Sequence, residues 1–158
     1  MKSWKDIALD ALATGKLATL STAATAALCG KAENDNAVAP INAISHIVFG
    51  DDAANQDTAS FKYTGTGFVL HDAACTSWAA VHERTFGNAV AKGNIPAAFA
   101  GGAIISAVAY VTDYYIVPKR LTPGIEKRLS NRSLFAVYSV LALSLAFCSL
   151  LNARRKNV

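Results

Sequence analysis

"SLFAVYSVLALSLAFCSLL" (residues 133–151) contains no charged side chain and runs directly into "NARRKN" (residues 152–157). About 20 mainly apolar residues at a 1.5 Å rise cross the hydrocarbon core of a bilayer, and a basic cluster beyond such a run anchors in the headgroups. The stretch therefore predicts a membrane-spanning helix. Working outward, residues 95–117 repeat the pattern, with Tyr110, Tyr114 and Tyr115 at the end where an aromatic belt would lie. Residues 7–29 and 65–84 are two more windows of spanning length, each interrupted by a few charges. The expected fold is all-α: a four-helix transmembrane bundle in a single domain.

Composition agrees. The chain has 158 residues, 53% of them hydrophobic and only 16% charged, where an average soluble domain carries about 25% charge. Alanine supplies much of the apolar count and would suit a soluble helical bundle as well. The clustering of charge into short segments is what favours the bilayer. The +4 net charge lies in those flanking clusters, so it fits anionic headgroups and argues against a nucleic-acid partner. Cys29, Cys75 and Cys148 are isolated from one another, each within a window, and read as small apolar fillers.

The N-terminal stretch has the basic start, apolar middle and small-residue end of a signal peptide, but Asp10 and Lys16 interrupt its apolar part. A retained helix is the expectation. Its small residues then have a purpose. Ala11 and Gly15 are one turn apart, as are Thr19, Ala23 and Ala27, and Ala98, Gly102 and Ser106 repeat the spacing. Lipid gives helices no hydrophobic drive to associate, so close backbone approach through small side chains does the packing.

Between the first two windows lies a polar segment containing Glu33, Asp35, Asp51, Asp52 and Asp57. Within it, "PINAISHIVFG" (residues 40–50) predicts a short helix, with Pro at its first turn and Gly at its end. Ile41, Ile44 and Val48 share one face; Asn42, Ser45, His46 and Phe49 share another. At this length it cannot span, so it should lie in the interface or dip in as a lid. A second short surface helix is expected in "RLTPGIEKRLS", where Thr122 would cap and Pro123 would take the first position.

The window at residues 65–84 carries the chemistry. On a helix His71, Cys75, Trp78 and His82 form one stripe, and Asp72, Thr76, Ala79 and Glu83 form its neighbour. Unpaired polar groups in hydrocarbon cost several kcal/mol each, on the order of a lost hydrogen bond or more, so both stripes should point into the bundle. Lys16 needs a counter-ion, which Asp72 or Asp113 could supply. Lys16, His71, Asp72, Cys75 and Asp113 are thus the candidate intramembrane cluster. His46, His82 and Glu83, beside Arg84, read as interfacial groups where charge is cheap. His71 and His82 lie about 16 Å apart along a helix and cannot share a metal. His71 with Cys75, or haem between His46 and His71, is an alternative that needs a ligand from another helix. No cofactor is expected otherwise. No catalytic motif is present: "GTG" at residues 65–67 lacks phosphate-loop spacing, and there is no G-x-S-x-G or H-E-x-x-H.

Basic residues divide evenly between the two sides of a four-span arrangement, so they do not orient it. Either a dual-topology homo-oligomer or a different span count would account for that. Read in order, "NAISHIVFGDDAA", "TGTGFVLHDAACTSWAAVHER" and "DYYIVPKRLTPGIEKRLS" resemble a group of functionally uncharacterised bacterial inner-membrane proteins, over about residues 40–130. The "VPKRLTPG" loop is the most specific piece. The resemblance implies a bacterial inner-membrane location and no catalytic activity. The expected role is a non-catalytic structural protein, either a homo-oligomer or an accessory subunit of a larger membrane complex. A proton, ion or small-solute pathway through Lys16, His71, Asp72 and Asp113 is the alternative, and requires those groups to meet in one cavity. A haem or metal redox subunit is a third reading.

Overall fold

The computed structural model describes residues 2–156; Met1, Asn157 and Val158 lie outside them, so the last residue of the basic anchor is not described. Ser3 starts the first helix, its Oγ accepting from the Asp6 N–H at 3.1 Å. Helix α1, Trp4–Asn34, then continues until Asp35 turns left-handed at φ 55° and returns its N–H to the last carbonyls. Two short helices follow, α2 (Ala39–Ile44) and α3 (His46–Phe49), then a 3₁₀ turn at Asp51–Asn55 and a π turn at Phe61–Gly65. The π turn leads into α4 (Thr66–Thr85), followed by α5 (Gly87–Ala91). Helix α6 (Ile95–Val111) is capped by Asn94 and extended by a π turn, Thr112–Ile116. A loop with two 3₁₀ turns reaches α7 (Asn131–Lys156). Every regular element among the described residues is helical.

Contacts along the helices fix the topology. Lys2 meets Glu83, Lys16 and Thr19 meet Asp72, and Thr22 meets His71, so α1 and α4 are antiparallel. Asn152 meets Thr14, Ser144 meets Ser21 and Ser133 meets Glu33, so α7 is also antiparallel to α1. Gly102 packs on Ala142, and Ser106 donates to the Tyr138 carbonyl at 2.5 Å, pairing α6 antiparallel with α7. The four long helices form an up-down-up-down bundle. Small side chains let them approach. Ala11, Ala18, Cys75, Ala79 and Ala109 share the central cluster with Ile105, Leu141 and Leu145.

Polar side chains share the interior, and large apolar ones share the surface. Thr14, Thr19, Thr22, Ser106, Ser144, Ser149 and Asn152 are buried, while Leu12, Leu20, Val69, Ile104, Val108, Phe135 and Phe147 are exposed. Several of these hydroxyls bond within their own helices: Thr19, Thr22 and Ser144 each donate to the carbonyl four residues back. Helix α6 with its continuation (Ile95–Ile116) and α7 (Asn131–Arg155) are long and apolar enough to cross a membrane. Helices α1 and α4 are long enough, but their polar and charged residues keep them below that apolar threshold.

One local expectation holds and one is corrected. The short helix expected at residues 40–50 is present over Ala39–Phe49, with a turn at Ser45, whose Oγ donates to the Asn42 carbonyl at 2.7 Å. The whole of α2, Ser45 and His46 are buried, and Asn42 donates to the carbonyls of Gln56 and Thr58 and takes a bond from Thr64. The surface helix expected after Arg120 is replaced by 3₁₀ turns at Lys119–Leu121 and Ile125–Lys127. Gly124 sits between them at φ 83°, a left-handed conformation that ends any helix there.

These two segments cap one end of the bundle and hold each other by opposite charge. Lys127 pairs with Asp51 at 2.6 Å, Arg128 pairs with Asp57, and Arg120 donates to the carbonyls of Ile47 and Val48. Glu33 accepts from the Ser130 N–H and from the hydroxyls of Ser130 and Ser133, and these bonds hold its carboxyl below the usual glutamate range. Hydrogen bonding and charge from Lys127 likewise hold Asp51 down.

Candidate functional site

Beneath this cap, α1, α4, α7 and the π turn after α6 line a partly open cavity of about 160 Å³. Helix α4 gives it His71, Cys75 and Trp78, residues four and three apart and therefore on one face. Thr22 comes from α1, Asp113 from the π turn and Tyr138 from α7. Leu121, Pro123 and Ile125 of the basic loop, with Ile44 and Ile47 of α2 and α3, form its roof.

The polar groups in this cavity have definite partners. Thr22 Oγ is 2.6 Å from the Ala18 carbonyl, which takes its one proton, and 2.8 Å from His71 Nε2. With the Thr22 proton on Ala18, the tautomer of His71 that carries its proton on Nε2 completes this contact. Cys75 Sγ lies 3.7 Å from the same Nε2. Tyr138 donates its hydroxyl to Asp113 Oδ2 at 2.6 Å. Among the described residues the second Asp113 oxygen takes no protein hydrogen bond.

The sequence-derived cluster is divided. His71, Cys75 and Asp113 meet in the cavity. Lys16 and Asp72 pair with each other in a different place, at the rim of the seam between α1 and α4 beside Leu20, Phe68 and Val69. Consecutive helical residues point about 100° apart, so α4 cannot turn both His71 and Asp72 inward. The Lys16 side chain is 59% exposed and that of Asp72 23%, so this pair is not inside the bundle as expected.

His82 and Glu83 lie at the bundle's other end, as their position at the helix terminus predicts, but they are fully buried and do not face headgroups. Lys2 folds over them. Its Nζ is 2.6 Å from Glu83 Oε2 and 2.8 Å from Asp10 Oδ2. Burial pulls the Lys2 ammonium down, but the bonds to Asp10 and Glu83 outweigh it and its pKa is raised. His82 stacks obliquely on Phe86 with centroids 5.7 Å apart, and Arg84 lies over the Trp4 ring at 5.2 Å. His46 is buried too, donating from Nε2 to the Thr122 carbonyl at 2.8 Å. It holds the cap to the basic loop.

Sequence reasoning placed Trp78 on the inward stripe but missed Thr22 and Tyr138. A tyrosine inside an aliphatic run was a usable signal, since a buried phenol needs a partner. Among the described residues no three His, Cys, Asp or Glu side chains gather as metal ligands would. Comparisons with protein-family models, with curated proteins and with solved structures found no match to the chain.

Proposed function

We propose that the chain is a four-span protein of the bacterial inner membrane with a non-catalytic role, assembling with itself or as an accessory subunit of a larger membrane complex. The observation that carries this reading is the pattern of polarity on the bundle's outer surface. All four long helices expose large aliphatic or aromatic side chains, including Leu12, Val69, Ile104 and Phe135, while many of their hydroxyl and amide side chains, among them Thr14, Thr22, Ser106, Ser149 and Asn152, are buried. Against that apolar exterior stands one ion pair, Lys16–Asp72, well inside the length of both helices. A pair left at that depth in hydrocarbon is costly, and a second helix packed over the seam relieves the cost. That need favours a subunit over a solitary protein. The bacterial location rests on the resemblance through the "VPKRLTPG" loop. The pathway reading loses support because Lys16 and Asp72 lie apart from His71 and Asp113.

The test is extraction. Membranes containing the protein are washed with alkaline carbonate, then solubilised in mild detergent for protein-mass measurement by light scattering. The chain should remain in the pellet and then run with a protein mass above the 16.6 kDa of one chain. Release by carbonate refutes membrane residence. A strictly monomeric mass with nothing co-purifying refutes assembly.

A further inference from the structure

We propose that the capped cavity binds a small organic amine, with its ammonium against Asp113 and its apolar part against Trp78 and Leu141. Size sets the first limit. A protein cavity of about 150 Å³ accommodates a benzene ring, and this one is about 160 Å³. The walls away from the polar groups are apolar, so a ring or short branched chain fits and a sugar or nucleotide does not.

Charge sets the sign. Asp113 is the one acidic side chain in the lining, and neither lysine nor arginine contributes to it. Tyr138 satisfies one carboxylate oxygen, and the other is left to a ligand. His71 Nε2 is already engaged by Thr22. The free position on Asp113 is an acceptor, and what complements it is a donor. A carboxylate or phosphate would meet Asp113 with no cation to offset it. An ammonium would supply the missing charge, and the apolar part beside it would meet Trp78 and Leu141 in the same lining. The inference holds for a monomer or an assembly, so its failure would leave the membrane reading untouched.

The chain has two tryptophans, and Trp4 lies at the opposite end of the bundle. In a Trp4→Phe background, Trp78 alone reports on the cavity. The detergent-solubilised full chain is titrated with benzylamine, with benzyl alcohol and with benzoate, following fluorescence. Benzylamine should give a saturable change, benzyl alcohol should bind at least tenfold more weakly, and benzoate should have no effect. This series requires no change in the cavity wall. Asp113→Asn should weaken benzylamine at least tenfold without altering benzyl alcohol, and Asp72→Asn should leave both unchanged. A non-saturating response to benzylamine, equal affinity for amine and alcohol, or loss of binding in Asp72→Asn and not in Asp113→Asn would overturn the proposal.

Discussion

Gly15 is where α1 touches α4 most closely, and replacing it by alanine tests whether backbone contact holds this pair. A Cβ at Gly15 would lie 2.5 Å from Thr76 Oγ1 and 2.7 Å from Thr76 Cα. Ordinary contact begins at 3.4 Å, so α4 would have to retreat by about 0.7 Å at this point. Overpacking typically costs about 1–3 kcal/mol. The obstacle is main chain and cannot swing aside, which puts the cost near 3. Alanine returns about 1 kcal/mol of helix propensity over glycine. The net expectation is a loss of about 2 kcal/mol by the same two terms. Gly65→Ala is the control: its nearest neighbour is the Phe61 ring at 3.5 Å, so only the propensity gain remains and stability should rise slightly. Reversible unfolding in mixed micelles, followed by circular dichroism against the mole fraction of denaturing detergent, gives both numbers. If Gly15→Ala is as stable as the parent, or gains as much as Gly65→Ala, the close α1–α4 seam is wrong.

Three further outcomes are expected. Glu33 has a depressed pKa through its serine bonds, so its contribution to cap docking is full above the usual glutamate value of about 4.3 and disappears as pH falls through its lower folded value. The melting temperature should therefore drop between pH 6 and pH 3 in the parent, and drop less in Glu33→Gln; an equal drop in both contradicts the assignment. Glu83→Ala leaves Lys2 with Asp10 as its remaining carboxylate in a site where both Lys2 and Glu83 are at least nine-tenths buried. Breaking a buried pair costs about 3–5 kcal/mol, and Asp10 should limit this to the lower end, with Lys2→Met restoring part of it; a cost below about 1 kcal/mol, the range of exposed pairs, would refute the triad. Maleimide in mild detergent should label half-buried Cys29 first and leave Cys75 and Cys148 protected until the bundle is denatured. Equal labelling rates would contradict their burial.

What the sequence revealed was periodic. The turn-by-turn recurrence of small residues placed Ala11, Gly15, Thr19, Ala98, Gly102 and Ser106 on packed faces, and all are buried, while Ala23 and Ala27 of the same series are half-buried. The stripe His71, Cys75 and Trp78 likewise turns into one cavity, because three and four residues on a helix return to the same side. Pairings between distant segments leave no such period. Lys2 with Glu83, Glu33 with Ser130, and Asp113 with Tyr138 depend on which helices run side by side. The acidic segment after α1 and the basic loop before α7 were each plain in the sequence, yet nothing local indicates that Asp51 finds Lys127 or that Asp57 finds Arg128. Burial of His82, Glu83 and His46 was missed for the same reason. A charged group at a helix end looks solvated until a partner folds over it.

Membrane crossing by α1 and α4 is the point on which the functional account turns, since α6 and α7 already have the apolar length to cross. Spin labels at Leu12, Val69, Ile104 and Phe135, one on each long helix and all exposed, would be compared in reconstituted bilayers for collision with oxygen, which dissolves in lipid, and with a water-soluble nickel chelate. The account predicts that oxygen dominates at all four positions. Oxygen at Ile104 and Phe135 with nickel at Leu12 and Val69 would mean that only two helices cross, and would contradict it.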